Sequence, residues 1–357
     1  MLRKTKLALI GPGDVAQRDY LPEFHRIAER AEIVDVAGRT PGRARATAEA
    51  FGARWHTDYQ RMLRETDAEA VLNLTPIQMH LEVTLAALEA GKHVFTEKPV
   101  ASTGADVRRI ETAAYAHGLT VICAPCVMRF PQVLHAKTLL DAGEIGPVHL
   151  ARGRGWGGVP PWGGYSSDPA PFFARGGGPL RDMGVYPLHA LTGLLGPVLR
   201  VMAMCAQAQR EFIPLEGPAA GRSIAVEEPD VWLLLLDFGG NRIATLESNN
   251  AAQATKAPEL ELFGLRGTIG LNLIDVGAPV DVMKAAGDGS FAPQPFPNTG
   301  RKSGPDHLLG VEHLLDVMQK NAAPALTLAH AAHVIDVIDA AVKSAEAGNA
   351  QIVGLQK

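Results

Sequence analysis

At 357 residues, 46% apolar and 20% charged, the chain is long enough for two cores and has the composition of a compact soluble protein. Its net charge of −4 provides no basic footprint for nucleic acid or an anionic membrane surface, which leaves small or neutral ligands as the expected partners. The opening MLRKTKLALIGPGD has only Leu7 to Ile10 before a glycine turn, too short for a secretory signal, and VWLLLLDF (231–238) is far below membrane-spanning length, so a cytoplasmic location is expected.

The first 125 residues alternate strand and helix patterns. KLALI (6–10) reads as a strand and GPGDVAQRDYL opens a helix. EIVDVAGR (32–39) is a second strand, followed by a helix with Thr40 as N-cap and Gly52 past its end. AVLNLTP (70–76) is a third strand, and the next helix carries Leu81, Leu85 and Leu88 on one face and ends at Gly91. HVFTEKP and LTVICAP are the fourth and fifth strands, with VRRIETAAYAHG between them. Strands separated by helices of this length imply a parallel, doubly wound sheet.

After residue 126 the rhythm changes, and 1–126 and 127–357 are read as two domains. Segment 152–180 is rich in Gly, Pro and aromatics, and DMGVYPLHALTGLLG reads as one helix. DVWLLLLDF and NRIATLES form a hairpin about a Gly-Gly turn, and ELELFGLRGTIGLNL forms another strand pair. A Gly/Pro-rich loop (285–305) follows, then two helices, the last capped by Thr327 and ended by Gly348. The second domain is therefore α+β with a large, mainly antiparallel open sheet that needs covering by helices or another subunit. Three cysteines argue against a disulfide framework. Cys123 and Cys126 form a C-x-x-C without a second pair, and are read as small apolar residues where a strand becomes a loop, with no metal site.

GPGDVA (11–16) follows a strand and opens a helix, the context of a dinucleotide fingerprint. Gly11 permits the tight turn, Gly13 lets backbone approach a pyrophosphate, and Ala16 permits close helix–strand packing. Asp14 and Val15 lie on the helix start that supplies amide donors. The second strand ends Gly38-Arg39-Thr40, where an Asp or Glu would hold the ribose diol of NAD, and Asp35 lies three residues too early. Arg39 and Thr40, with Arg43 one turn on, suit a 2′-phosphate, which favours NADP with NAD as the alternative.

The G-x-G-x-x-A turn, NLTPIQMH (73–80), AALEAGKHVFTEKP (86–99), VMRFPQ (127–132), LLDAGEIGPV (139–148) and GGGPLRDMGVYPLHALTGLLG (176–196) occur in one order. In this the chain resembles the glucose-fructose oxidoreductase, inositol dehydrogenase and rhizopine-catabolism (Gfo/Idh/MocA) family over nearly its whole length. The resemblance implies a Rossmann domain, a sheet-based second domain and an active site between them. It also implies that Lys98 contacts the reacting hydroxyl, with Asp182 and Tyr186 completing the site. Tyr186 stands where the family often has His, and His189 where Asp or Asn is common, so inositol specificity does not transfer directly. Thr75 and Pro76 are implied to line the nicotinamide half with His80 nearby, and Arg129 to shape the substrate cleft.

The chemistry agrees. Oxidising an alcohol sends hydride to the nicotinamide and a proton to a base. A lysine is ordinarily protonated at neutral pH, so that role needs burial beside a cationic ring. Asp182, one turn before Tyr186, shares its helix face. Glu97 points to the other side of the extended chain from Lys98, and is counted among the cofactor-side residues in a structural role. Trp156, Trp162 and Tyr165 either stack on a sugar ring or pin a long loop. The expected activity is an NAD(P)-dependent dehydrogenase or reductase of a sugar, sugar derivative or cyclitol. A glycosidase working by transient oxidation and elimination is the alternative, and a non-catalytic sensor is a third reading. A homodimer or homotetramer is expected.

Overall fold

The computed structural model describes residues 3–156, 160, 163–297, 301 and 304–354. The chain divides into two compact units. One comprises Met1–Cys126, Gly164–Pro171 and His307–Ala332; the other comprises Val127–Gly163, Phe172–Asp306 and His333–Lys357. Segments 164–171 and 307–332, which the sequence reading places with the second domain, thus pack with the first. In chain order the α-helices are α1 (Pro41–Phe51), α2 (Tyr59–Glu65), α3 (His80–Glu89), α4 (Gly104–His117), α5 (Pro131–Asp141), α6 (Gly178–Asp182), α7 (Val185–Leu195), α8 (Leu308–Lys320) and α9 (Leu328–Ala347).

In the first unit β1 (Thr5–Ile10), β2 (Ala31–Ala37), β3 (Arg54–His56), β4 (Ala70–Asn73), β5 (His93–Thr96) and β6 (Val121–Cys123) form a parallel sheet in the order β3-β2-β1-β4-β5-β6. Crossover helices cover such a sheet on both faces, which is why β4 and β6 are buried at every position and read as unbroken apolar runs. The helix ends follow local chemistry. Pro41 occupies the first turn of α1 and Gly52 closes it at φ +66°, while Thr103 Oγ1 accepts the Asp106 N–H at the start of α4. Thr40 precedes α1 in extended geometry without a side-chain cap bond. Burial raises the pKa of Cys123 to about 12, in keeping with an inert thiol.

In the second unit β7 (Val148–Gly155), β8 (Arg200–Ala206), β11 (Val231–Asp237), β12 (Ile243–Asn249), β13 (Leu260–Gly264), β14 (Gly267–Leu271), β15 (Val280–Lys284), β16 (Ala292–Gln294) and β17 (Gln351–Ile352) build one sheet, ordered β16-β15-β14-β13-β7-β12-β11-β8-β17. The short hairpin β9 (Glu211–Phe212) and β10 (Ile224–Ala225) stands apart from it. All neighbours in the large sheet are antiparallel except β7 and β12. Strands β8, β11 and β12 alternate buried and exposed residues along much of their length, so one face is core and the other open. Most of the expected helix over 182–196 is α7, which starts at Val185, three residues later than expected, because Asp182 closes the separate short helix α6. A Cβ on Gly155 would come 2.5 Å from Gly184 Cα, so the α6–α7 junction lies directly on the end of β7, and the helix breaks there.

Candidate active site

The phosphate turn of the first unit is built as its glycines require. Gly11 has φ +91°, and a Cβ there would meet the Leu74 carbonyl oxygen at 2.6 Å, so only glycine passes between β1 and β4. Gly38 packs on Pro12, where a Cβ would stand 2.8 Å from the ring. Ala16 is fully buried on the sheet. These features fit a dinucleotide.

Asp35 is fully buried and accepts hydrogen bonds from Arg54 (2.9 and 2.8 Å), His56 Nε2 (2.8 Å) and Thr66 Oγ1 (2.6 Å). Burial pushes its pKa up, but the bonds from Arg54, Thr66 and His56 outweigh it and hold the carboxyl below its usual value. It is fully engaged away from the strand end, where Arg39 and Thr40 are exposed.

Segment 164–171 supplies partners that the sequence does not reveal. The Asp14 carboxylate accepts from Ser166 N–H (2.8 Å) and Ser166 Oγ (3.0 Å), and pairs with Arg18 at 3.0 Å. Asp14 N–H donates to Ser167 Oγ at 3.0 Å, and Arg43 donates to Ser167 Oγ (2.9 Å) and the Ser166 carbonyl (2.8 Å). Two groups expected at the cofactor, Asp14 and Arg43, thus also hold this strap; Val15 is half-buried beside them.

At the other end of the sheet crest, Lys98 follows β5 and is half-buried; the Lys98–Pro99 bond is cis. Its backbone N–H donates to Glu97 Oε2 at 2.9 Å, and Tyr20 donates its hydroxyl to Glu97 Oε1. His80 does not present a ring nitrogen to the open surface. Nδ1 lies 2.7 Å from the Pro99 carbonyl and Nε2 lies 2.8 Å from that of Thr75, and the neutral ring donates its one N–H to one of the two. Burial lowers its pKa against the pull of those carbonyls. Buried Asn73, also missed by sequence reasoning, donates to the His80 carbonyl and accepts from Thr75 Oγ1 (2.6 Å); Pro76 is exposed.

In the second unit Asp182, Tyr186 and His189 are buried on α6 and α7. The Ser248 hydroxyl lies 2.8 Å from the carbonyls of both Gly155 and Pro179, clamping the end of β12 to β7 and α6. His189 Nδ1 lies 2.9 Å from the Val185 carbonyl. Trp156 Nε1 and Arg129 Nε are buried without a hydrogen-bond partner among the described residues, so both are donors suited to a polar ligand. Trp162 lies outside the described residues.

Residues 5–124 match the family described as "Oxidoreductase family, NAD-binding Rossmann fold", and residues 133–270 match the "GFO/IDH/MocA C-terminal domain". Over 201 residues the chain is 35% identical to the dTDP-3,4-didehydro-2,6-dideoxy-α-D-glucose 3-reductase of Streptomyces violaceoruber, covering 56% of this chain and 57% of that protein. It is 30% identical over 152 residues to the inositol 2-dehydrogenase of Salmonella typhimurium, covering 42% and 45%. The chain thus spans about half the length of these curated relatives. In fold it is similar to the aldose-aldose oxidoreductase of Caulobacter crescentus, with a TM-score of 0.80 at 23% identity over 98% of this chain and 100% of that one. An oxidoreductase of Agrobacterium radiobacter solved with NAD+ gives 0.77 at 20% identity over 99% of each chain.

Proposed function

The chain belongs to the GFO/IDH/MocA oxidoreductase family, and on that premise we propose that it moves hydride between a nicotinamide dinucleotide and a hydroxyl or keto carbon of a sugar, sugar derivative or cyclitol. The observation that carries this reading is the placement of Lys98 at the carboxyl end of β5, on the same sheet and the same end as the Gly11–Gly13 turn after β1. Ligands of doubly wound sheets bind outside those strand ends. NADP is preferred over NAD, because Asp35 is committed to Arg54, His56 and Thr66 while Arg39 and Thr40 occupy the ribose end of β2. The names of the relatives support the substrate class, a nucleotide-linked keto-sugar or a cyclitol.

When bound, the nicotinamide accepts or supplies the hydride. The protein handles the proton. Lys98 Nζ exchanges it with the reacting oxygen, and Asp182 and Tyr186 orient that oxygen and hold the proton in transit. Arg129, Trp156 and His189 contact the substrate's other groups, and Thr75, Pro76 and the Gly13–Ala16 backbone hold the cofactor. Residues from 127 onward also supply subunit pairing, through the open sheet face carrying Met202, Met204, Leu233, Leu235 and Ile243.

The test is the change in absorbance of the reduced nicotinamide, with NADP(H) and NAD(H) in parallel, over aldoses, cyclitols, dTDP-linked keto-sugars and glycosides. Lys98→Ala is the control. Turnover lost by about two to four orders of magnitude in the variant is expected. Equal turnover in the variant overturns the reading. Glycoside consumption without net nicotinamide change would transfer the same site to oxidation and elimination.

A further inference from the structure

We propose that Tyr20 is a positioning residue for the reacting amine: its hydroxyl fixes one oxygen of the Glu97 carboxylate, whose other oxygen holds the backbone N–H of Lys98. The inference rests on the role of Lys98 given above. Tyr20 is 1% exposed and Glu97 5% exposed, so neither is a solvated surface group. A carboxylate removed from water needs strong donors, and here one donor is a buried phenol and the other is the amide of the residue that carries the amine. The Glu97 N–H in turn donates to the Asn73 carbonyl at 2.9 Å, so the backbone on both sides of this carboxylate is tied down.

Tyr20 is itself held from outside the first 126 residues. Its ring stacks on His307, centroid to centroid 5.8 Å at 29°, and meets the edge of Phe95 at 5.7 Å. His307 is the residue before α8, and its carbonyl accepts from Cys126 Sγ at 3.8 Å. α8 lies so close that a Cβ on Gly310 would come 2.4 Å from Phe95 and from Cys126 Sγ. A single line therefore runs from α8 through His307, Tyr20 and Glu97 to the Lys98 backbone. The sequence shows none of it, because Tyr20 and Glu97 are 77 positions apart. Removing one hydroxyl should loosen the peptide bearing the amine while the ring, its stacking and the dinucleotide turn remain.

The experiment compares the full-length chain with Tyr20→Phe, Glu97→Gln and the double variant. Hydrogen exchange on the 93–102 peptide reads the Lys98 amide directly and needs no substrate. Kinetics use the cofactor and panel member with the highest rate. Expected for Tyr20→Phe are lost protection at Lys98, kcat lower by about tenfold, and cofactor Kd within about twofold of the parent. The double variant should be no slower than the slower single one. Unchanged exchange and unchanged kcat beside a lowered melting temperature would overturn the proposal, leaving Tyr20 a packing residue. Lys98→Ala with full turnover would instead remove the reading on which it stands.

Discussion

The two sheets hide their strands in opposite ways, and the difference decides where each unit can do chemistry. β4 is buried at all four positions, between helices, so its faces are unavailable and its functional groups lie past the strand's last residue. Gly11, Thr75 and the Glu97-Lys98 pair each follow a strand end in this way. β11 and β12 show the other solution, with Leu234, Leu236, Ala244 and Leu246 inside and Leu233, Leu235 and Ile243 outside. Over β8, β11 and β12 one face of that sheet is left open, whereas β14 is buried at all five positions. The first unit spends its tolerance for substitution at the strand ends; the second can afford changes across a surface.

The sharpest contrast is between two glycines. Gly11→Ala drives a Cβ to 2.6 Å from the Leu74 carbonyl at a φ of +91°, so neither the chain nor its neighbour can yield cheaply. Chemical denaturation should register a loss of about 2–4 kcal/mol, with dinucleotide binding abolished in a titration. In β14 of the second sheet, Gly270→Ala would place a Cβ 3.7 Å from Pro258, an ordinary contact. There the same measurement should give a change within about 1 kcal/mol, stabilising if anything. Equal costs at the two positions would dissolve the distinction.

Buried polar groups of the first unit predict how it responds to acid. Asp35 has a folded pKa held below its ordinary 3.8, so its contribution is complete above that value and is lost as pH falls through the folded pKa. His80 is lowered from 6.5 by burial, so its contribution is present above 6.5 and declines as pH drops below it, since the unfolded chain then binds the extra proton. Urea melts across pH should therefore show two separate losses. Asp35→Asn should cost about 1–3 kcal/mol near neutrality and reduce the lower one, and His80→Gln should reduce the upper, to which His93 and His333, also lowered by burial, contribute the rest. If the upper loss is undiminished in His80→Gln, the ring between Thr75 and Pro99 is not a source of it.

Much of the first unit was legible in sequence because its pattern is local. A strand, a glycine turn and a capped helix repeat within some tens of residues, and Glu97-Lys98-Pro99 punctuates a strand end. β3 escaped because three residues, Arg-Trp-His, at a sheet edge carry no period. The strap escaped for another reason: Asp14 and Ser166 are 152 positions apart, and no composition announces a hydrogen bond. The same holds for α8, whose fit against Phe95 depends on one glycine, Gly310. In the second unit the alternation made the open face legible, whereas the α6–α7 break depends on Gly155 and Gly184 touching, a tertiary fact. Sequence reading reached the residues that punctuate the chain and missed those that join distant parts of it.

The smallest expected effect on stability tests the open face. Leu235 is 58% exposed, Leu233 57% and Met204 73%, on adjacent strands with Leu235 opposite Met202 and Leu233 opposite Met204. A charge placed there meets water in the isolated chain and should alter its denaturation by no more than about 0.5 kcal/mol. If a second copy covers the face, the same charge is driven into an apolar interface without a partner, and association pays a desolvation cost of about 2–5 kcal/mol. Leu235→Lys should then shift sedimentation to the smaller species with the secondary structure and concentration-independent stability of the chain intact. Gly264→Ala makes a useful opposite: its Cβ would come 2.1 Å from the Ile145 carbonyl, so it should weaken the fold and alter association only as a consequence. A Leu235→Lys protein that keeps the parent's size would mean that this face, for all its leucines and methionines, stays in water.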